Sequence, residues 1–356
     1  MQEKQNVNVT SKLEYDWLDE FYEGLAAVKI GSKWGFINTN GEMPIQPRYN
    51  HAFGFSEGLA AIEKEHQYGF IDPGGNEIIQ PIFDIARCFK NNFAVVIINN
   101  QCGYIDKSGN FLINNFFEVA EPFYEGMGRI KHNGKWGYLD IKGNAVIPPA
   151  FNYAANFSEG LAGASINNKV GFIDKTGTFV IEPRFDFVSS YKNETARIKV
   201  KNKWGLIDKS GNIIIKPEYD TILSFSEGLA PFKKDKHWGY LDKNGNIIIK
   251  PLFEDASEFS EGLARIQTRS FTGTKYGFID IKGNIKIKPA FKDAYNFNCG
   301  FSAVKISKFT GDKYGYIDSN GELIIKPEYN TVFSFNNNVA VVNKGSKWGF
   351  IKLGGS

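Results

Sequence analysis

Eight aspartates recur at one position of a repeating pattern, and they are the first residues whose spacing could support chemistry. Arrays of carboxylate oxygens are the ligands that calcium prefers. Each of these aspartates, however, is followed three residues later by a glycine, so its carboxylate can cap the backbone of a tight turn. The sequence therefore favours a structural role over a calcium site for Asp72, Asp106, Asp140, Asp174, Asp208, Asp242, Asp280 and Asp318.

The other residues that could bind metals or act as nucleophiles are few and scattered. The histidines lie at unrelated phases of the pattern and lack the short spacing of a metal site; they are His51, His66, His132 and His237. Three cysteines are an odd number and suggest neither a disulfide framework nor a zinc site. The repeated Ser-Glu-Gly is typical of a turn, and nucleophile-elbow, P-loop and dinucleotide-binding motifs are missing. We therefore expect no metal, no cofactor and no enzymatic activity.

Two consecutive copies of the pattern each contain four extra residues, in the segments 268–275 and 306–313. Both insertions contain Phe-Thr-Gly-x-Lys, and insertions in repeat proteins form loops that often lie on the binding face. We predict a binding site from the basic and aromatic residues around them: Arg265, Arg269, Phe271, Lys275, Lys305, Lys308, Phe309 and Lys313. The alternative is a neutral duplication whose phenylalanines pack back onto the array, since longer hairpin loops cost little free energy.

The pattern that positions these residues is an aromatic–glycine pair that recurs about every 34 residues. Eight copies have Trp or Tyr before the glycine, and two degenerate copies have Cys102 or Val170. A period of this size indicates a repeat architecture in which neighbouring units share a core. A second glycine follows each pair seven residues later, as Gly211 follows Gly205, and predicts a turn with positive φ.

Each repeat is predicted to contain three short strands. Connections such as Asn133-Gly134 favour a first hairpin. Asp-x-x-Gly favours a second turn, and a proline ends the third strand. The remainder of the repeat is expected to be an irregular connector. Two aromatic positions per repeat are expected to stack into the core, and a ring from a neighbouring repeat is expected to cover the glycine of each aromatic–glycine pair.

The hexapeptides at 33–38, 135–140 and 203–208 begin with Lys-Trp-Gly, and the same triplet stands at 347–349. Together with the following Asp-x-x-Gly-x-x-Ile-x-Pro, they resemble the WG-repeat family, also called KWG repeats, over residues 15–356. The resemblance implies a bacterial protein made of β repeats, with no catalytic residues to transfer. The copies at Cys102 and Val170 depart from the pattern, and Asn115 replaces the usual proline, which predicts looser packing in those repeats.

The predicted fold class is all-β, with tandem repeats of antiparallel hairpins forming an open, curved superhelix or solenoid. A closed, propeller-like ring is the alternative, because the sequence begins and ends at complementary points of the repeat. We expect residues 1–14 to form an irregular N-terminal cap and residues 15–356 to form one continuous array.

The bulk composition excludes some classes of function. A net charge of +3 is too small to indicate nucleic-acid binding. The N-terminal residues lack the basic and apolar regions of a signal peptide, and no apolar run is long enough to span a bilayer, so we expect a cytoplasmic protein, with export by a signal-independent route as the alternative. We also expect a monomer. The main hypothesis is a scaffold that binds a protein partner, with an acidic surface favoured. The alternative is a carbohydrate-binding or cell-envelope-binding module that uses aromatic rings between repeats.

Overall fold

The protein is all-β in the computed structural model, which describes residues 9–113, 116–271, 273–309 and 311–354. These residues form 39 strands in ten antiparallel sheets. Among them, no helix is long and apolar enough to cross a membrane. The chain divides into two compact units. One contains Met1–Ser32, Phe36–Met43 and Tyr219–Ser356, and the other contains Lys33–Gly35 and Pro44–Glu218.

The sheets are numbered in chain order, and each is described by its strands. Sheet 1 contains β2 Trp17–Leu18, β3 Leu25–Ile30, β4 Lys33–Asn38 and β5 Ile45–Tyr49, and sheet 2 contains β6 His51–Ala52, β7 Ala60–Lys64, β8 Gln67–Ile71 and β9 Glu77–Phe83. Sheet 3 contains β10 Ile85–Ala86, β11 Ala94–Ile98 and β12 Gln101–Ile105, and sheet 4 contains β13 Val119–Tyr124, β14 Met127–His132, β15 Lys135–Asp140 and β16 Ile147–Phe151. Sheet 5 contains β17 Tyr153–Ala154, β18 Ala162–Ser165, β19 Val170–Ile173 and β20 Phe179–Phe185.

Sheets 6 to 10 follow the same plan. Sheet 6 contains β21 Phe187–Val188, β22 Thr195–Val200, β23 Lys203–Asp208 and β24 Ile213–Tyr219, and sheet 7 contains β25 Thr221–Ile222, β26 Leu229–Lys234, β27 His237–Asp242 and β28 Ile247–Phe253. Sheet 8 contains β29 Asp255–Ala256, β30 Leu263–Ser270, β31 Gly273–Asp280 and β32 Ile285–Phe291, and sheet 9 contains β33 Asp293–Ala294, β34 Phe301–Ile306, β35 Lys313–Asp318 and β36 Leu323–Tyr329. Sheet 10 contains β37 Thr331–Val332, β38 Val339–Lys344 and β39 Lys347–Leu353, together with β1 Val9–Tyr15.

The tenth sheet is completed by the N-terminal strand, with the order β1-β39-β38-β37. Val9 lies opposite Leu353, and the ladder continues to the pair Tyr15 and Trp348. An open superhelix would leave the edge of its last repeat unpaired, whereas here β1 covers it. The first strand and the last repeat therefore share one sheet, which supports the closed, propeller-like alternative and does not fit the predicted open superhelix or solenoid.

The N-terminal segment is more regular than the sequence indicates. Residues 9–14, assigned above to an irregular cap, lie in β1 and pair with β39. Residues 1–8 of that predicted cap lie outside the described residues, as do Asn115 and Gly355.

Nine of the ten sheets have four strands instead of the three predicted. The additional strand lies in the segment expected to be irregular; it is two residues long in eight of these sheets and six residues long in sheet 4, where it is β13. In sheet 8, Asp255 pairs with Gln267 and Ala256 pairs with Ile266. Two residues are too few to show the alternation by which strands are recognised in sequence. Sheet 3 lacks a fourth named strand, although isolated bridges join Cys102 to Phe117 and Ile105 to Phe111.

Aromatic rings from neighbouring sheets pack in pairs and form much of the core. The ring of Phe89 in the second unit lies 4.8 Å from that of Phe70, and in the first unit Phe259 lies 4.9 Å from Tyr240. Equivalent pairs recur at centroid distances of 4.7–4.9 Å, as expected for edge-to-face or tilted aromatic packing; they are Tyr104–Phe123, Tyr138–Phe157, Phe172–Tyr191, Phe278–Phe297 and Tyr316–Phe335. The predicted aromatic core is therefore present.

The glycine of the aromatic–glycine pair has a different cause from the one predicted. A Cβ on Gly205 would lie 2.4 Å from the carbonyl oxygen of Ile215 and 2.8 Å from the nitrogen of Pro217. The close neighbour is thus the backbone of the next strand of the same sheet, not an aromatic ring from another repeat. A ring does cover the equivalent glycine in sheet 3, where Phe111 lies 3.0 Å from the Cβ position of Gly103.

The Ser-Glu-Gly turns join neighbouring repeats. Ser158 Oγ donates a hydrogen bond to the carbonyl of Tyr191 (2.7 Å), and the carboxylate of Glu159 accepts the backbone N–H groups of Asn193 and Glu194 at 2.6 and 2.9 Å. We call this arrangement the carboxylate clasp. Equivalent carboxylate contacts join Glu57 to Asn91 and Asn92, Glu125 to Glu159 and Gly160, Glu227 to Gly262, and Glu261 to Gly300.

Candidate functional site

The two longer hairpins occupy the same place in sheets 8 and 9 but have different conformations. In sheet 8 the ladder continues to the pair Ser270 and Gly273, and Ser270 Oγ donates to the carbonyl of Gly273 at 2.8 Å. In sheet 9 the ladder stops at Ile306 and Lys313, and residues 307–309, 311 and 312 lie outside it. Thr272 and Thr310, which belong to the predicted Phe-Thr-Gly motif, lie outside the described residues.

Both hairpins present a phenylalanine to solvent at the tip. Phe271 has a relative exposure of 111% and Phe309 of 108%, so neither ring is packed back onto the array. Most other aromatic positions that recur in the repeat are buried. These two rings are therefore apolar surface that folding leaves in water.

Three of the six predicted cationic residues are held at the bases of the hairpins. Arg265 donates to Asp255 at 2.9 Å and to the carbonyl of Ala294 at 3.1 Å, and its guanidinium lies 4.9 Å from the ring centroid of Tyr276. The Nζ of Lys305 lies 4.9 Å from the ring centroid of Tyr314, and Lys313 donates to Asn330 at 2.9 Å. These three side chains therefore contact residues at the bases of the hairpins, and Asp255 matches the charge of Arg265.

The other three predicted cations have no hydrogen-bond or ion-pair partner for their side chains among the described residues. They are Arg269, Lys275 and Lys308, and all lie in the inserted segments. The pKa of Glu328 is lowered mainly by its hydrogen bond to Lys344, and Lys308 adds a smaller electrostatic contribution. The two phenylalanines are thus accompanied by positive charge that the fold does not neutralise.

A polar contact fixes the base of the sheet 9 hairpin. The hydroxyl of Tyr314 donates to Asp293 at 2.6 Å, and the ring of Tyr295 lies 5.8 Å from that of Tyr314. The pKa of Tyr314 is raised, first by burial and then by its hydrogen bond to Asp293, so the hydroxyl keeps its proton. The tip of this hairpin therefore stands on a rigid base.

The recurrent aspartates cap turns, as the sequence predicts. Asp208 Oδ1 accepts the backbone N–H groups of Ser210 and Asn212 at 2.9 and 2.8 Å, and Oδ2 accepts the Asn212 side-chain amide at 2.9 Å. These hydrogen bonds, the side-chain amide of Asn212 first, lower the pKa of Asp208. The described residues contain no group of three or more His, Cys, Asp or Glu residues that could hold a metal ion.

A second group of polar and aromatic residues was missed by the sequence reasoning. In sheet 4 the guanidinium of Arg129 lies 4.5 Å, and the Nζ of Lys131 5.9 Å, from the ring centroid of Trp136. In sheet 6, Arg197 and Lys199 both lie 5.7 Å from the ring of Trp204. The signal in the sequence is Arg-Ile-Lys followed five residues later by Trp, which occurs at 129–136 and again at 197–204. We call these two groups the cation–indole sites.

The pattern of the repeat agrees with one known family. The family described as WG containing repeat matches the chain in ten consecutive segments that span residues 6–348. The chain belongs to the WG-repeat family. The matched WG repeats are residues 6–34, 34–65, 68–102, 103–136, 136–169, 171–204, 204–236, 238–270, 276–308 and 314–348. Both long hairpins and both cation–indole sites involve residues of these repeats.

Solved structures match the chain at low sequence identity and low TM-score. PorZ of Porphyromonas gingivalis, a bacterial surface component of the type-IX secretion system, is 11% identical to this chain, with a TM-score of 0.30. The match covers 96% of this chain and 58% of PorZ, so this chain spans less than two thirds of that protein. BamB from Moraxella catarrhalis is 10% identical, with a TM-score of 0.34 and coverage of 96% and 100%. Hsv2 of Kluyveromyces lactis is 11% identical, with a TM-score of 0.34 and coverage of 76% and 98%. No curated protein matches the chain in sequence.

Proposed function

We propose that this WG-repeat protein is a non-catalytic scaffold that binds a protein partner through its two long hairpins. The observation that carries the proposal is the full exposure of Phe271 and Phe309 at equivalent positions of two consecutive sheets. Large apolar side chains that anchor an interface typically fill pockets on the partner. The burial of the repeated core rings supports a scaffold over a ligand groove formed by those rings.

The chemistry of the hairpins specifies the kind of surface that would fit. The partner would offer apolar pockets for the two rings and acidic residues around them, since Arg269, Lys275 and Lys308 add unmatched positive charge. Charge complementarity of this kind mainly raises the association rate and lowers its tolerance of salt. The differing conformations of the two hairpins favour two distinct pockets over one repeated contact.

A crosslinking experiment identifies the partner and a pair of variants tests the site. A photoreactive phenylalanine analogue at position 271 captures the protein that lies against the tip. Binding of that partner is then measured for the wild type, for the double variant Phe271→Ser/Phe309→Ser, and for Leu252→Ser. Leu252 is the matched control, because it is an apolar side chain of the same unit with 70% exposure and it lies on strand β28.

We expect the double variant to bind at least about tenfold more weakly, since each anchoring ring contributes about 1–2 kcal/mol or more. The Leu252→Ser variant should bind like the wild type. Replacing Arg269, Lys275 and Lys308 by glutamine should lower the association rate and flatten its dependence on salt. Full affinity of the double phenylalanine variant would refute the proposed site.

A further inference from the structure

The cation–indole site of sheet 4 consists of three hydrogen-bond donors, and two of them have no acceptor among the described residues. Lys131 lies directly opposite Trp136 in the ladder between β14 and β15, and Arg129 projects from the same face of β14, two residues earlier. The indole N–H, the ammonium and the guanidinium are all hydrogen-bond donors that cannot accept. Among the described residues, neither the indole N–H of Trp136 nor the Nζ of Lys131 has a hydrogen-bond acceptor.

The neighbouring polar groups do not neutralise this site. One guanidinium nitrogen of Arg129 donates to the carbonyl of Ala154, which holds the side chain over the indole ring. Two acids lie on or beside the paired strand β13: the carboxylate of Glu118 accepts the backbone N–H of Gly134 at 3.1 and 3.2 Å, and Glu121 forms an ion pair with Arg87 at 3.3 Å. A group that completes the site must therefore bring acceptor oxygens, and a negative charge is favoured.

The second cation–indole site adds an exposed aromatic surface. Phe187 pairs with Lys199, which pairs with Trp204, so the lysine lies between two aromatic side chains across three strands. The rings of Phe187 and Trp204 are 5.5 Å apart, and Phe187 is 44% exposed. Aromatic surface beside two cations suits a ligand that has both a carboxylate and a ring whose face is formed by C–H groups.

The repeat between the two sites lacks these features. Sheet 5 has Val170 where the others have tryptophan, and Ser165 where they have the lysine. The Ser165 side chain is buried and donates to the carbonyl of Asn167. The cation–indole arrangement is therefore a property of particular repeats, and the general WG fold does not require it.

We propose that the cation–indole sites at Trp136 and Trp204 bind carboxylate-bearing sugar units of an acidic polysaccharide. The carboxylate of a uronate residue accepts hydrogen bonds from the lysine and the indole N–H, while the sugar ring lies against the aromatic side chains. This function is separate from the partner-binding proposal, because both sites lie in the unit that contains Pro44–Glu218, whereas both phenylalanine tips lie in the other unit.

The test uses the full-length protein and oligogalacturonate as the probe, with binding measured by calorimetry. The variants are Lys131→Met/Lys199→Met and Trp136→Leu. The matched control is Lys142→Met/Lys243→Met, which removes the same charge from two exposed turn lysines. Circular dichroism and thermal unfolding verify that each variant is folded. A neutral galactose oligomer of the same length and polyglutamate are the comparison ligands.

We expect saturable binding of oligogalacturonate by the wild type and the control, and at least tenfold weaker binding by Lys131→Met/Lys199→Met. Trp136→Leu should lose one of the two sites and so lower the number of ligands bound. The neutral oligomer should bind at least tenfold more weakly than the acidic one. Absence of saturable binding to oligogalacturonate, or equal affinity of the double lysine variant and the control, would overturn the proposal. Equally tight binding of polyglutamate would also overturn it, because the sites would then be general anion-binding surfaces.

Discussion

Glu159 accepts the backbone N–H of Asn193 at 2.6 Å, and the two residues are separated by one full repeat. The second carboxylate oxygen accepts the N–H of Glu194 at 2.9 Å, and Lys209 lies 3.4 Å from the same carboxylate. One side chain therefore satisfies two backbone donors of the next turn. Charge-assisted hydrogen bonds of this kind are stronger than neutral ones.

Replacing Glu159 by alanine should destabilise the protein by about 1–2 kcal/mol, because two backbone donors lose a charged acceptor. The control is Glu194→Ala, which removes a carboxylate that pairs with the same Lys209 at the surface. Exposed ion pairs contribute about 0–1 kcal/mol, so this change should be small. Chemical unfolding measures the free energy of unfolding of both variants. Equal losses would mean that the clasp stabilises the protein no more than a surface ion pair does.

The contribution of the clasp should depend on pH. Burial opposes ionisation of Glu159, but the hydrogen bonds from Glu194, Asn193 and Lys209 outweigh it and lower the pKa in the folded protein. A lowered pKa means that the stabilisation is present above the ordinary glutamate pKa of about 4.3 and is lost as pH falls through the folded value. The stability difference between wild type and Glu159→Gln should therefore shrink on acidification, and a difference that grows at low pH would contradict this sign.

Gly205→Ala should destabilise the protein far more than Gly228→Ala. A methyl group on Gly205 would lie 2.4 Å from a backbone oxygen, whereas one on Gly228 would meet nothing within 4 Å. Gly228 has a φ of 85°, so alanine there costs about 1–2 kcal/mol of backbone strain alone. Thermal unfolding of the two variants tests the assignment, and similar losses would show that β24 can move away from Gly205.

Deleting residues 1–15 should lower the unfolding temperature and promote association. The deletion removes β1 from β39 and leaves the edge of the tenth sheet unpaired, and such edges pair readily with other chains. The ion pair between Lys347 and Asp16 would also lose its neighbouring strand. Deletion of residues 1–8 is the control. Light scattering at several concentrations reads out association, and a monomeric 1–15 deletion with unchanged unfolding would contradict the role assigned to β1.

Shortening both long hairpins should leave the fold intact. Replacing residues 269–274 and residues 307–312 by Asn-Gly reproduces the connection seen at 133–134. The shared part of the ladder, which includes the pairs Gln267–Tyr276 and Lys305–Tyr314, is retained. The unfolding temperature should change by no more than a few degrees. A loss of β circular dichroism would mean that the inserted residues belong to the core.

Local signals in the sequence predict the turns of the repeat and its buried aromatic positions well. The positive φ of Gly211, 82°, follows from a turn that no residue with a Cβ adopts cheaply, and the capping by Asp208 follows from the same short segment. Burial of the aromatic positions follows from their apolar character and their period. These features depend on neighbours within a few residues of one another.

The features that were missed depend on distant contacts. The pairing of β1 with β39 joins two segments from opposite ends of the sequence, and no single repeat encodes it. The clasp from Glu159 to Asn193 joins turns of different repeats, so within one repeat it is indistinguishable from an ordinary turn. The partner of Arg265 is Asp255 on a two-residue strand that sequence periodicity could not detect. Phe271 and Phe309 were recognised by breaking the repeat, but their exposure required the structure.

The pairing of β1 with β39 also sets an order of events during synthesis. Asp16 and Lys347, which meet across this junction, are separated by 331 residues. At about 5–20 residues per second, a ribosome would present the first strand tens of seconds before its partner exists. Sheets 2 to 9 contain no strand from the N-terminal segment and can form while the chain is still growing. The tenth cannot, so a nascent chain must protect an unpaired strand until translation is nearly finished.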